Sequence, residues 1–293
     1  MTHTLPTTAR GVADALRAGA QANRAAACRH GSIDIIRAPG RLIATGDLHD
    51  NPANLDAVVR AAGLDGPGTP CHLTLHELIH PPTLRPGDVD RSWRALARVA
   101  MLKADHPELV HVLLANHELA QAQGTLIQKN GVRLVDAFNA GLHADFGDQA
   151  SLVRDAVFAF VMSMPLALRC ECPQGDILCA HSLPGPAIMG RFDATILNRD
   201  LRPADYEGRG GSAYAMVWGR GYDADQLEDL TERWGVNLFI LGHEHTPRGY
   251  ALVEPNALVL NTDHDRGVYL PIDLSNKPRL HDCPALVVPI HPG

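Results

Sequence analysis

Four short polar groups stand out in this chain because each follows directly on an apolar run. RLIAT (41–45) leads into GDLHD, which supplies Asp47 and His49. LVHVLLA (109–115) leads into Asn116, His117 and Glu118, DILCA (176–180) ends at His181, and NLFILG (237–242) leads into His243, Glu244 and His245. Imidazole nitrogens, carboxylates and an amide oxygen are donors that hold Mn, Fe, Zn or a similar divalent metal. Taken singly, each group also has an ordinary reading. A lone D-x-H is equally a turn aspartate beside a surface histidine, and an asparagine after a strand is a good helix N-cap. The G-H-x-H group is more specific, since its histidines at i and i+2 adjoin a glycine that leaves room for an ion. Ligands in α/β sheets gather at the carboxyl ends of strands, so four such groups in one chain point to one centre.

The elements that must position these groups alternate between strand and helix. RLIAT reads as a buried strand, NLDAVVRAAGL (54–64) as the helix after it, and CHLTLH (71–76) as the next strand. HPPTLRPGD (80–88) is a loop, because its prolines exclude ladder pairing. SWRALARVAMLKA (92–104) is helical and LVHVLLA is a third strand, an alternation that predicts an α/β core with parallel pairing. Residues 118–163 read as mostly helical. Strands follow at 166–172, 176–181, 214–218, 237–242, 257–261 and 268–272, with a helix at 224–234 and a long surface loop at 182–213. The first 40 residues read as an N-terminal helical extension, with Val12, Ala15 and Leu16 at helical spacing, and residues 41–293 as a single domain.

With these motifs in place the chain resembles the calcineurin-like metallophosphoesterases, whose pattern runs D-x-H, G-D-x-x-D, G-N-H-E, H and G-H-x-H. The resemblance covers residues 41 to about 261. It looks closest to the phosphoprotein-phosphatase branch around VHVLLANHE, ILCAHSLPGP, MVWGRG and FILGHEHTPRGY. It implies a two-sheet β-sandwich flanked by helices and two divalent metal ions, with Mn expected and Fe, Zn, Ni or Mg as alternatives. By that resemblance Asp47, His49 and His245 hold one ion, and Asn116, His181 and His243 hold the other. A hydroxide between the ions attacks phosphorus in line, and His117 is the general acid that protonates the leaving oxygen.

The chain departs from that pattern at the second motif. Where the family has G-D-x-x-D, this sequence has HELIH (76–80), and GDVDRS (87–92) follows a proline-rich stretch. The expectation is that an insertion splits the motif: Glu77 bridges the metals, Asp90 orients His117, and Arg91 grips phosphate. The rival bridge is Asp88, which no apolar strand precedes. His76 and His80 flank Glu77 as supporting groups or alternative ligands. The arginine that the family carries before G-N-H-E is absent, with Leu114 and Ala115 in its place, so Arg220 in WGRG is expected to share phosphate binding with Arg91. Asp50 stands where a glycine usually follows D-x-H and is expected to cap the helix at 54.

The composition bounds the alternatives. The formal charge of −7, without a basic stripe, argues against a nucleic-acid binder. No apolar stretch is long enough to span a membrane, and the first residues lack the apolar core of a secretion signal. The six cysteines have no framework spacing; Cys170 and Cys172 read as buried small hydrophobes, and a reducing cytoplasm fits them. The expected activity is therefore hydrolysis of phosphomonoesters, with phosphoserine or phosphothreonine in proteins as a candidate substrate. The rivals are hydrolysis of dinucleoside polyphosphates or other nucleotides, and a non-catalytic relative that binds metal without turnover.

Overall fold

The computed structural model describes residues 4–64, 66–208 and 210–291; His3, to which the sequence assigns no role, lies outside them. The first half of the chain runs α1 (Ala9–Ala25), β1 (Arg29–His30), β2 (Ile33–Arg37), β3 (Arg41–Thr45), α2 (Pro52–Ala62), β4 (His72–Leu75), α3 (Trp93–Asp105), β5 (Val110–Val112), α4 (Asn116–Gln123), β6 (Gln128–Lys129), β7 (Val132–Arg133), α5 (Leu134–Phe146) and α6 (Ala150–Val161). The second half runs β8 (Ala167–Glu171), β9 (Asp176–Ala180), α7 (Ser212–Trp218), α8 (Ala224–Trp234), β10 (Val236–Leu241), β11 (Tyr250–Val253), β12 (Ala257–Leu260), β13 (Val268–Asp273) and β14 (Val288–Pro289).

Two sheets face each other. One has the order β1-β2-β8-β9-β10-β12-β11 and the other β14-β13-β3-β4-β5. Alternate residues of each strand point inward, so Leu42 and Ala44 of β3 meet Leu168, Cys170, Ile177, Leu238 and Ile240 of the larger sheet in a buried layer between the two. The cysteines Cys170, Cys172, Cys179 and Cys283 lie in that layer, and every cysteine is free. A second buried cluster unites the outer faces with the helices that cover them. The chain thus has the α/β two-sheet sandwich that the family resemblance implies.

β3, β4 and β5 pair in parallel, as the β-α-β alternation predicts. Residues 29–37, within the segment read as a helical extension, supply β1 and β2 to the larger sheet, and β2 pairs in parallel with β8. Residues 214–218, read as a strand, belong instead to helix α7. YAMVW is aromatic and β-branched enough to suggest a strand, but five residues are too few for periodicity to decide. The loop 182–213 is built from three short 3₁₀ turns, and it buries Ile196 and Leu197 against the core. The helix at 52 is capped by Asn51, whose side chain accepts from the Asn54 amide, and not by Asp50.

One buried charge network ties the N-terminal strands to the smaller sheet. Asp34 of β2 accepts from Arg29 Nε at 2.7 Å and from His111 Nδ1 at 2.8 Å, and His111 Nε2 lies 3.1 Å from His72 Nδ1. Nearby, the Lys103 ammonium donates to the carbonyls of Pro107 and Val110. Burial alone would raise the Asp34 carboxyl, but the His111 hydrogen bond and the nearby cations outweigh it and hold it below the usual carboxylate range. A depressed carboxyl stabilises the fold fully above about pH 4 and progressively less as pH falls further. Asp34→Asn should therefore lower unfolding free energy by about 3 kcal/mol at neutral pH. In urea titrations the gap from the wild type should narrow below about pH 4; a gap independent of pH would show that the carboxylate is not ionised.

Candidate metal centre

The strand ends of both sheets meet at one edge of the sandwich. Asp47 lies just past β3, pairs as an isolated bridge with His76 past β4, and does the same with Asn261 past β12. The close approach depends on two glycines. A Cβ on Gly46 would sit 1.9 Å from the Leu260 carbonyl oxygen, and one on Gly242 would sit 2.3 Å from Asp47 Oδ1 and 2.4 Å from His76 Cε1. Backbone bonds then lock the loops together. The amides of Leu48 and His49 both donate to the Glu77 carbonyl, and Asp50 N donates to that of Leu78. From α4, Glu118 Oε1 accepts from the amides of Leu78 and Ile79 at 2.7 and 3.2 Å.

The centre is the buried carboxylate of Glu77. Its Oε2 lies 3.4 Å from His181 Nε2, and that nitrogen lies 2.7 Å from Asn116 Oδ1 and 3.0 Å from His243 Nδ1. Its Oε1 faces the other way, 3.8 Å from His49 Nε2 and 3.3 Å from His117 Nε2. Asn116 opens α4 without capping it, so its amide oxygen is left for this cluster. Asp47 accepts from the His243 amide through both oxygens at 3.0 Å, and its Oδ1 lies 3.3 Å from His76 Nδ1 and 3.4 Å from His181 Nδ1.

The backbone sets which ring nitrogens face inward. His49 Nδ1 donates to the Ile79 carbonyl at 3.3 Å, and His76 Nε2 donates to the Thr45 carbonyl at 2.9 Å. Each bond fixes a tautomer and leaves the other nitrogen as an electron-pair donor toward the carboxylates, the arrangement that orients metal-ligating histidines. His49, Asp50, Glu77, His80 and His243 all have positive φ, between 44° and 68°. Non-glycine residues in that region are strained, and such residues cluster at functional sites.

The electrostatics fit a cation. Burial pushes the Glu77 carboxyl well up, with Asp47 and Glu118 adding to it. Burial also drives His181 down to about 4 and His243 down to about 2. The same burial holds His117 well below its ordinary value. Glu77 Oε2 and His243 Nε2 are buried without a hydrogen-bond partner. A centre so rich in lone pairs and so poor in protons suits divalent metal, and Asp47–His76–His181 and His49–Glu77–His117 each gather three donor atoms within 4.8 Å of one another.

The same architecture occurs in solved phosphatase structures. A protein serine/threonine phosphatase from Saccharomyces cerevisiae aligns with a TM-score of 0.63 at 14% identity, over 90% of this chain and 82% of that one. A cold-active protein-tyrosine phosphatase from a psychrophilic Shewanella species aligns at 0.58 and 14%, over 88% and 82%. This chain shares their fold. No protein-family model matches the sequence, and no curated protein does.

Within that fold, the structure gathers Asp47, His49, Glu77, Asn116, His117, His181 and His243, and separates the other expected residues from them. His245 is exposed, its ring 5.5 Å from that of His264. The expectation that it holds an ion with Asp47 and His49 assumes extended backbone, whereas His243 at φ 68° turns the chain. Asp88 is exposed and accepts from the Arg85 amide. Arg91 is held by Asp145 at 2.9 Å and lines a cleft of about 760 Å³ between α2 and α3. Asp90 bonds His80, not His117. Arg220 stays at the rim, donating to the His243 carbonyl at 2.9 Å.

Lys129 is the residue that motif reading misses. It sits on the β6–β7 hairpin, and its charge bears on His49, Glu77 and His117. The signal was present in the sequence, since Asn130-Gly131 is the dipeptide of a two-residue hairpin turn, here with both φ positive. The tight approach at Gly242 is directly testable. Gly242→Ala must displace the Asp47 carboxylate, so metal content measured by elemental analysis should fall to half or less of the wild-type value. Wild-type metal content in that variant would show that Asp47 can yield without loss of the centre.

Proposed function

We propose that this chain is a dinuclear metal-dependent phosphoesterase that hydrolyses phosphomonoesters. The observation that carries the reading is the orientation of Glu77, whose two oxygens face two different groups of ligands. Asp47, His49 and Glu77 would hold one ion, and Glu77, Asn116, His181 and His243 the other. His76 offers a nitrogen beside Asp47 that His245, turned outward, does not. The donor set suits Mn, and also accepts Fe, Zn, Ni or Mg. Bound ions would lower the pKa of a water and offset the charge of the phosphate.

The chain's own groups do the rest. His117 presents Nε2 beside Glu77 and serves as the general acid for the leaving oxygen. Arg220 and Lys129 supply positive charge for the phosphate oxygens, in place of the arginine that the sequence lacks before Asn116. Arg91, occupied by Asp145, is left to the neighbouring cleft. The two solved neighbours are named as phosphatases of phosphorylated serine or threonine and of phosphorylated tyrosine, so a phosphorylated protein side chain is the substrate class we assign. The free cysteines suit a reducing compartment such as the cytoplasm. Among the described residues no helix is long and apolar enough to cross a membrane.

Purified protein should carry two metal ions per chain and hydrolyse p-nitrophenyl phosphate, with activity abolished by EDTA and restored by Mn. Glu77→Gln keeps the shape but loses the bridging charge, and kcat/KM should fall by about 100-fold or more. Two bound metals with no turnover on phosphopeptides, aryl phosphates or dinucleoside polyphosphates would make the chain a binding protein and sink the proposal. Turnover of dinucleoside polyphosphates alone would move the substrate to nucleotides.

A further inference from the structure

The geometry points to His80 as a positioning residue for His117, linking it to the Asp90 carboxylate through a second imidazole; this rests on the phosphoesterase reading. His80 Nδ1 lies 2.6 Å from Asp90 Oδ2, and both side chains are fully buried. A carboxylate facing a ring nitrogen at that distance accepts its proton, so Nδ1 donates and Nε2 is left facing away from Asp90.

The pair is held from several directions. Asp90 Oδ1 accepts from the Ser92 amide at 2.7 Å, Ser92 Oγ accepts from the His80 amide at 3.1 Å, and the Asp90 amide donates to the Ala137 carbonyl at 3.0 Å. The edge of Phe138 packs on the His80 ring, centroids 5.9 Å apart. The His80 backbone sits at φ 64°, a strained value maintained by these contacts.

On its far side His80 meets His117, with ring centroids 5.3 Å apart. His80 Nε2 and His117 Nδ1 are both buried, and neither has a hydrogen-bond partner. A turn of the His117 ring that pairs them satisfies both atoms: His117 Nδ1–H then donates to His80 Nε2, which the tautomer that Asp90 selects leaves as an acceptor. His117 Nε2 is then aimed at Glu77 Oε1 and the reacting phosphate. In the chemical step the P–O bond breaks, its electron pair passes to the leaving oxygen, and that oxygen takes the proton from His117 Nε2. The residues between His80 and Asp90 explain why two rings are needed. They carry the carboxylate away from the strand end, and one imidazole spans the gap.

His80→Asn tests this. Asparagine tolerates positive φ and can still donate to Asp90, but it cannot reach His117. The readout is the ratio of kcat on an alkyl phosphate, whose leaving group needs a proton, to kcat on p-nitrophenyl phosphate, whose leaving group does not. That ratio should fall about 100-fold in His80→Asn, the lower end of what general acid catalysis supplies, and His80→Gln, whose amide reaches further, should recover part of it. The double variant with His117→Asn should be no worse than His117→Asn alone, because both changes remove the same interaction. An equal loss on both esters, or additive losses in the double variant, would overturn the role. A second measurement needs no turnover. In protein labelled with ¹⁵N-histidine, an exchange-protected His117 Nδ1 proton should be present and should vanish in His80→Asn. Its absence from the wild type overturns the contact. Its presence in a wild type that hydrolyses neither ester defeats the phosphoesterase reading and, with it, the catalytic role of His80.

Discussion

Bringing many lone pairs together in a buried space, with few protons to share among them, is the constraint around which this molecule is organised. Asp47, Glu77, Asn116, His181 and His243 come from five different strand ends, and the donor atoms of the other four lie 2.7–3.4 Å from the ring nitrogens of His181. Such an assembly repels itself unless a cation or shared protons offset the crowding. The surrounding fold supplies rigidity against that repulsion. The amides of Leu48 and His49 are tied to the Glu77 carbonyl, and Glu118 holds the following two amides from another element. The interior between the sheets makes the strand ends immobile platforms, so the loops need to hold only a few residues each.

Much of the centre is legible before any coordinates, because polar residues after apolar strands have a predictable destination. Asp47, His49, Asn116, His181 and His243 follow from that rule, and Glu77 follows from it even though the second motif is split. The rule fails where backbone direction changes within a motif. His245 lies two residues from His243, which would place both on one face of an extended chain, but the left-handed turn at His243 sends His245 to solvent. Asp90 shows a different limit. Its role depends on how the residues after His80 fold back, and nothing in local pattern says that a histidine would stand between it and His117. For α7, a short aromatic and aliphatic run suits a strand by composition, and its packing makes it a helix.

The cations near the site illustrate how tertiary contacts reassign residues that look interchangeable in sequence. Arg91 and Arg220 are both candidates for phosphate by type. One is spent on Asp145, which also receives Trp93 Nε1 and Arg94, while the other is anchored at the rim by the His243 carbonyl. Lys129, in a hairpin with no motif around it, enters the electrostatic neighbourhood instead. The positive field at this edge thus comes from elements on either side of the centre, not from the arginine that conventionally precedes the asparagine.

The left-handed backbone at His49, Asp50, Glu77, His80 and His243 also bears on how this protein can change over generations. That conformation admits glycine freely and asparagine, aspartate and histidine with modest strain, and it resists β-branched residues. The permitted substitutions at these positions are therefore few, and most of them relax the loop while removing a donor. Each relaxed position would return on the order of 1 kcal/mol to stability. Selection for robustness and selection for the centre pull in opposite directions at the same five peptide units. A lineage freed from the second would become a sturdier protein of unchanged shape, one loop residue at a time.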